Sequence, residues 1–330
     1  MKINQYSKNA LSSINSVTSL PKSPKSFKKT IMSSLLLLSI STFSLANRTS
    51  IDLSVEQLDR PRATQSAQRT AEVSQAEFVN DGYFTVALST SSTLPLHDYA
   101  SDAKTIIGFD VDFALAIADS LGKELDIISV AWADWPLGLA SGKFDAVISN
   151  VTVTEERKKK FDFATYRKDD IGIYVKKDSP ITAITKAEDI AGLKVITDSG
   201  TNQEKILLEW DKINRGNGLA PVEIQYYDDR ALQTLAVESG RADVIFSVNP
   251  MQAYASKVSG KTKHVGTVNG GWPLTAEIAV AFPKGSDLTE PVANVINDLI
   301  ESGLYEQILT RWALETEAVE KSLINPPGLP

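Results

Sequence analysis

The sequence predicts an α/β fold with largely parallel sheets, in a chain long enough for two lobes. Three observations carry that expectation. From Phe78 onward, short β-branched or alternating runs alternate with helical patterns. Capping residues and glycines stand where those helices must start and stop. Once an N-terminal export signal is set aside, about 284 residues remain, enough for two domains of ordinary size.

The export signal is read from residues 1–46, which carry six lysines and no Asp or Glu, ahead of the apolar run from Ile31 to Ile40. That run is shorter than the roughly 20 residues a membrane-spanning helix needs. It leads into Ser44-Leu45-Ala46, a small-x-small site, and cleavage is expected after Ala46. Removing it leaves 28 basic and 41 acidic residues, a net charge of −13 against −7 for the full chain. Nucleic acid and anionic lipid surfaces are therefore poor partners. With no cysteine, the chain has no disulfide framework, no thiol nucleophile and no lipid-modified cysteine at the cleavage point, so a soluble protein of a Gram-negative periplasm is expected.

Residues 47–77 are polar, show no sustained apolar period and read as a loose leader. Strands follow near Phe84–Leu88, Asp126–Val130, Ala146–Ser149, Ile171–Val175, Lys194–Thr197, Val222–Tyr226, Asp243–Phe246, His264–Val268 and Ile278–Phe282. Helices fit at Asp110–Leu121, Thr154–Lys160, Asn202–Asp211, Arg230–Ser239 and Pro250–Ser256, with Leu288–Glu301 and Tyr305–Trp312 closing the chain. Asp110 is placed to cap the first helix and Gly122 to stop it. Thr201-Asn202-Gln203-Glu204 has the spacing of a capping box. Asn249-Pro250 puts an N-cap before proline at the first helical position.

Enzyme chemistry finds little support. His97 and His264 are the only histidines, in no HExxH context, and no GxSxG elbow is present. Gly260-Lys261-Thr262 imitates the end of a Walker A loop, but Ala255 stands where the required glycine should be. No cofactor or metal is expected. An anion site is better supported: Asp145 to Arg157 runs from a buried strand into a helix that Thr154 can cap, so exposed N–H groups and the Arg157 guanidinium could grip a carboxylate. The alternative at this point is that Arg157 pairs with Glu155, Glu156 or Asp162 on a solvated face.

Gly108-Phe109-Asp110-Val111-Asp112-Phe113-Ala114-Leu115-Ala116-Ile117-Ala118 resembles the signature of family 3 extracellular solute-binding proteins, the polar amino-acid receptors related to the glutamine- and histidine-binding proteins. Six further motifs follow in family order, from Gly142-Lys143-Phe144-Asp145-Ala146 and Thr152–Arg157 through Phe161–Ala164, Asp198–Thr201 and Gly240–Asp243 to Ala281–Ser286. The resemblance spans roughly residues 80–315 and implies the two-lobed periplasmic binding protein fold (type II), two α/β lobes joined by two crossing hinge strands. Lobe 1 would comprise residues 78–167 plus 274–330, and lobe 2 residues 168–273.

The resemblance also implies a function: capture of a small carboxylate-bearing solute for an ABC permease in the inner membrane, by a monomer that is not an enzyme. Arg157 and Thr152 would hold the carboxylate, with Asn150 on the same turn and Trp132 as a wall. Asp198, Asn202 and, less directly, Asn249 would line the second lobe. Two departures stand out. Thr93 occupies a position where the family usually has an aromatic, and Val248 one where its amino-acid receptors place the Asp that holds the ligand's ammonium. On that basis Asp198 is expected to take over a ligand cation. The alternative function is a periplasmic enzyme on the same scaffold, of the cyclohexadienyl dehydratase kind.

Overall fold

The computed structural model describes residues 51–227 and 229–330; the expected export signal lies outside them. The chain builds α1 (Ala67–Glu72), β1 (Tyr83–Ser89), β2 (Asp98–Tyr99), β3 (Ile106–Ile107), α2 (Phe109–Leu121), β4 (Glu124–Val130), α3 (Trp135–Ala140), β5 (Ala146–Thr152), α4 (Glu155–Lys158) and β6 (Phe161–Lys168). It continues with β7 (Asp170–Lys176), β8 (Lys194–Thr197), α5 (Asn202–Gly216), β9 (Glu223–Tyr226), α6 (Arg230–Glu238), β10 (Val244–Val248), α7 (Asn249–Ser259) and β11 (Thr262–Asn269). Strand β12 (Glu277–Pro283) and helices α8 (Thr289–Glu301) and α9 (Leu304–Arg311) complete it.

The strands form two five-stranded sheets, ordered β4-β1-β5-β12-β6 and β11-β7-β10-β8-β9, beside a small β2-β3 ribbon. The chain leaves the first sheet between β6 and β7, through the single residue Asp169, and returns over residues 270–276. These two crossings explain why the sheets are mixed and not simply parallel. Strands β12 and β7, each entering from the other sheet, run antiparallel to both neighbours, whereas the β4-β1-β5 and β10-β8-β9 sets are parallel.

Period-two alternation divides each central strand between two apolar layers. Phe84, Val86 and Leu88 of β1 face the core under α2, α8 and α9, while Ala87 faces Trp135, Phe144 and Phe161 on the other side. In the second sheet Val244 and Phe246 of β10 meet Trp210 of α5, while Ile245 turns to Ala236 and Val237 of α6.

The Gly108-Phe109-Asp110 motif is explained here. Gly108 is the N-cap of α2 at φ +135°, where a Cβ would collide with the Leu96 carbonyl, so glycine is required. Asp110 does not cap. It lies inside the first turn, buried, with its carboxylate 2.7 Å from His97 Nδ1.

Residues 51–77 are not a loose leader. Helix α1 is capped by Ser66, and Arg69 makes a two-pronged bond to Asp298 of α8, at 2.7 and 2.9 Å. Arg62 grips Asp119 of α2 in the same way, at 2.7 and 2.6 Å. Arg60 reaches the buried Asp112, which also accepts from Trp312 Nε1 (2.9 Å) and lies 3.1 Å from Arg311. A local apolar period was the wrong signal for this segment, because distant carboxylates hold it.

Replacing Asp112 by alanine should therefore cost about 3–5 kcal/mol, because two guanidinium groups and an indole lose their shared acceptor. Arg60→Ala, whose side chain is partly exposed, should cost about 1 kcal/mol or less. Urea unfolding measures both. Equal midpoints for Asp112→Ala and the wild type would mean the segment is not anchored through this carboxylate.

Candidate functional site

A cleft of about 790 Å³ opens where the carboxyl ends of the parallel strands of both sheets meet. Ser89 ends β1 and residues 90–92 follow it, Trp132 follows β4 and Asn150 lies near the end of β5; Asp198 to Asn202 follow β8, and Val248 ends β10. Its volume is that of a site for a small solute. Lobe contacts already cross it. Ser92 Oγ lies 3.6 Å from Met251 Sδ, Val248 and Met251 pack into the core of the first sheet, and Lys205 pairs with Glu156 at 3.1 Å at the mouth.

Arg157 lines this cleft. The Thr154 hydroxyl accepts from its backbone N–H (3.1 Å), so the N-cap expected from the sequence is present, but α4 has only four residues and a correspondingly small dipole. The charge available to an anion is therefore mainly the guanidinium. It donates from Nη1 to the Thr152 carbonyl (2.8 Å) and lies 5.6 and 5.8 Å from the rings of Trp132 and Trp135. Burial pushes its pKa down to about 10, opposed by the charges of Asp169 and Glu156, so it is still cationic at neutral pH. The surface-pair alternative is excluded. Glu155 holds Lys158 and the Gly328 N–H, Glu156 holds Lys205, and Asp162 holds Lys284, Gly285 and Asn325.

The other expected residues divide. Trp132, Asn150, Asp198 and Asn202 line the cleft; Thr93, Thr152 and Asn249 do not. Asn150 has φ +56°, a conformation asparagine tolerates better than most residues, and its side-chain oxygen accepts from Arg167 Nη2 at 2.6 Å. Thr152 is fully buried, and its hydroxyl donates to Asp169 at 2.8 Å. It supports Arg157 through its carbonyl and does not line the cleft. Thr93 is turned to Asp98, and the first loop presents Ser89 to Ser92 instead. Asn249 is the first helical residue and not the cap; its side-chain oxygen accepts from the Tyr174 hydroxyl at 3.1 Å. Asp198 reaches the cleft wall with its carboxylate already engaged by Arg230 (3.0 Å), Gln233 (3.1 Å) and Ser247 (3.4 Å).

Several residues behind the cleft wall are not singled out by the sequence. Asp169, in the first crossing, accepts on one oxygen from Thr152 of the first sheet and from Asn202 Nδ2 (2.7 Å) beside the second. Its other oxygen has no hydrogen-bond partner, and burial raises its pKa. Asn202 also donates to the Gly270 carbonyl (2.7 Å), where a Cβ would collide with the Asp169 carboxylate. Arg167, fully buried beneath Asn150, pairs with Glu317 and lies 5.3 Å from the Phe109 ring. Lys168-Asp169-Asp170 reads as a surface turn, so only apolar flanks on both sides hinted at burial. His97 does not face the cleft: its Nε2 lies 2.8 Å from the Ser89 carbonyl. Among the described residues, no group of three or more His, Cys, Asp or Glu is placed to hold a metal ion.

The sequence matches the bacterial extracellular solute-binding proteins, family 3, over residues 86–315. The L-cystine-binding protein TcyJ of Escherichia coli is 32% identical over 230 residues, 69% of this chain and 82% of that protein. The arginine-binding protein ArgT of Corynebacterium glutamicum is 28% identical over 245 residues, 71% of this chain and 76% of the relative. Among solved structures, an ancestral arginine-binding protein bound to arginine matches with a TM-score of 0.61 and 28% identity, over 70% of this chain and 98% of that one. An ancestral amino-acid-binding protein described as a precursor of cyclohexadienyl dehydratase matches with a TM-score of 0.61 and 27% identity, over 74% and 98%. Two α/β lobes, two crossings and a cleft at the carboxyl ends of their strands agree with these matches, and the chain belongs to the bacterial extracellular solute-binding proteins of family 3.

Proposed function

We propose that this protein is the solute-binding component of an ABC importer, and that it captures a small carboxylate-bearing solute, an amino acid or a close relative of one, by closing its lobes over Arg157. One observation carries the reading. Arg157 is a desolvated cation that faces the cleft, and no carboxylate among the described residues lies within ion-pair distance of it. A ligand carboxylate would complete it with a two-pronged, charge-assisted pair. The cystine- and arginine-binding relatives support an amino-acid-like ligand. In this reading the chain is exported, loses its signal after Ala46, acts in the periplasm as a monomer and delivers its ligand to an inner-membrane permease.

It is also not an enzyme in this reading, since the carboxylates that line the cleft among the described residues, Glu156, Asp198 and Glu204, are already held by other groups of the protein. The neighbour described as a dehydratase precursor gives the competing reading its one support. Direct assay of prephenate and arogenate separates them: turnover would replace the receptor reading.

A thermal-shift screen over amino acids, opines, polyamines and small organic acids should find the ligand, because binding to the native state alone raises the melting temperature. For that ligand, Arg157→Ala should lose about 2–5 kcal/mol by calorimetric titration with an unchanged circular dichroism spectrum. Unaltered affinity would put the carboxylate elsewhere.

Closure should also reduce the radius of gyration in small-angle scattering when ligand is added, because contacts from both lobes are made together only in the closed state. Lys205→Ala removes the exposed ion pair to Glu156 at the mouth. It should weaken binding less than Arg157→Ala does, and the difference should vanish at high salt. A salt-independent loss would argue against a screened latch.

A further inference from the structure

The charges lining the cleft do not balance. Its carboxylates among the described residues are Glu156, Asp198 and Glu204, and each is already satisfied. Glu156 takes Lys205 from the opposite lobe. Glu204 accepts from the Gly200 N–H (2.6 Å) and from the Tyr226 hydroxyl. Asp198 is the most enclosed of the three and the most heavily committed. Arg230 Nη1 lies 3.0 Å from its Oδ2 and also donates to Ser247 Oγ (2.6 Å) and Gln233 Oε1 (3.0 Å), while Gln233 Nε2 donates back to Asp198 Oδ1. Gln233 and Ser247 are fully buried, so this four-residue ring is built into the second lobe and is not a surface accident. Arg157, by contrast, has no carboxylate within ion-pair distance among the described residues and feels Asp169 and Glu156 only from farther away, and Val248, which lines the same cleft, is apolar and buried.

We propose that Arg230 sets the charge class of the ligand: it occupies, from within the protein, the place a ligand cation would take at Asp198, so the cleft accepts a carboxylate-bearing solute whose far end is neutral or acidic and rejects a basic one. This rests on the solute-binding reading above and narrows it. A basic far end would have to displace a guanidinium held by three acceptors, or lie beside it with no free carboxylate to offset its lost hydration. A hydroxyl, amide or carboxylate at the far end would meet Ser199, Thr201 and the Arg230 guanidinium instead, with no such penalty. Specificity of this kind works by repulsion as much as by attraction.

The test uses L-arginine, L-glutamine and L-glutamate, which share one backbone and differ in the charge of the far end, titrated calorimetrically into wild type, Arg230→Gln and Asp198→Asn. Wild type is expected to bind glutamine or glutamate at least tenfold more tightly than arginine. Arg230→Gln frees the Asp198 carboxylate and should raise the affinity for arginine relative to glutamine at least tenfold. Asp198→Asn frees the guanidinium, so it should favour glutamate over glutamine and leave arginine weak; it decides the matter if Arg230→Gln does not fold. Arginine binding tightest to wild type, with the binding abolished by Arg157→Ala, would overturn this proposal and leave the receptor reading standing. An unchanged arginine-to-glutamine ratio in the folded variants would overturn it equally. Binding of none of the three at millimolar concentration, to wild type or either variant, would remove the amino-acid-like solute on which both readings depend.

Discussion

A single buried carboxylate, that of Asp169, links the first crossing, the Arg157 side of the cleft and the second lobe. It stands at the one-residue crossing between β6 and β7, and burial there is costly for a carboxylate unless donors surround it. The donors come from both sides, Thr152 from the first sheet and Asn202 from the helix that opens the second lobe. Thr152 in turn offers its carbonyl to Arg157. The orientation of the cleft-facing guanidinium is thus set through the same residue that satisfies Asp169. Gly270 in the returning crossing lies so close to the carboxylate that no side chain fits, which ties the two crossings together.

A second buried charge supports the same wall from below. Arg167 joins Glu317, near the chain's end, to Asn150, which lines the cleft in a left-handed conformation. The hydrogen bond to its side chain offsets part of the cost of that backbone geometry. The N-terminal strap acts on the outer side of the same lobe, where Arg60, Arg62 and Arg69 tie residues 51–77 to α2 and α8. Buried or half-buried arginines paired with distant carboxylates therefore recur in the strap, beneath the cleft floor and on the cleft wall. Only Arg157 faces the cleft without such a partner among the described residues.

Much of the architecture was legible in the sequence. The apolar periods of β1, β5 and β10, the stop at Gly122 and the Thr201 cap are local properties, and they recur in the structure within three residues. The Thr154 cap that begins the turn of Arg157 was legible too, and Arg157 lines the cleft. Caps chosen by residue type alone failed where a tertiary partner outbid the local one. Asp110 turned to His97 and Asn249 to Tyr174, since a buried polar group is held by whichever partner burial brings nearest. Thr93 was misplaced because the residue that faces a cleft from a loop depends on how the loop folds over the core.

The sequence by itself determined the α/β class, most strand and helix positions and the arginine that the structure places in the cleft, because periodicity, capping and side-chain charge act over a few residues. Only the tertiary structure decided that Asp169 is buried and not a turn residue, that residues 51–77 are docked, and that Asp198 is neutralised by Arg230. Each of those depends on groups distant in the chain, 17 positions apart for Thr152 and Asp169 and 229 for Arg69 and Asp298. No local pattern encodes such a pairing, since the energy that selects it appears only when folding removes both charges from water.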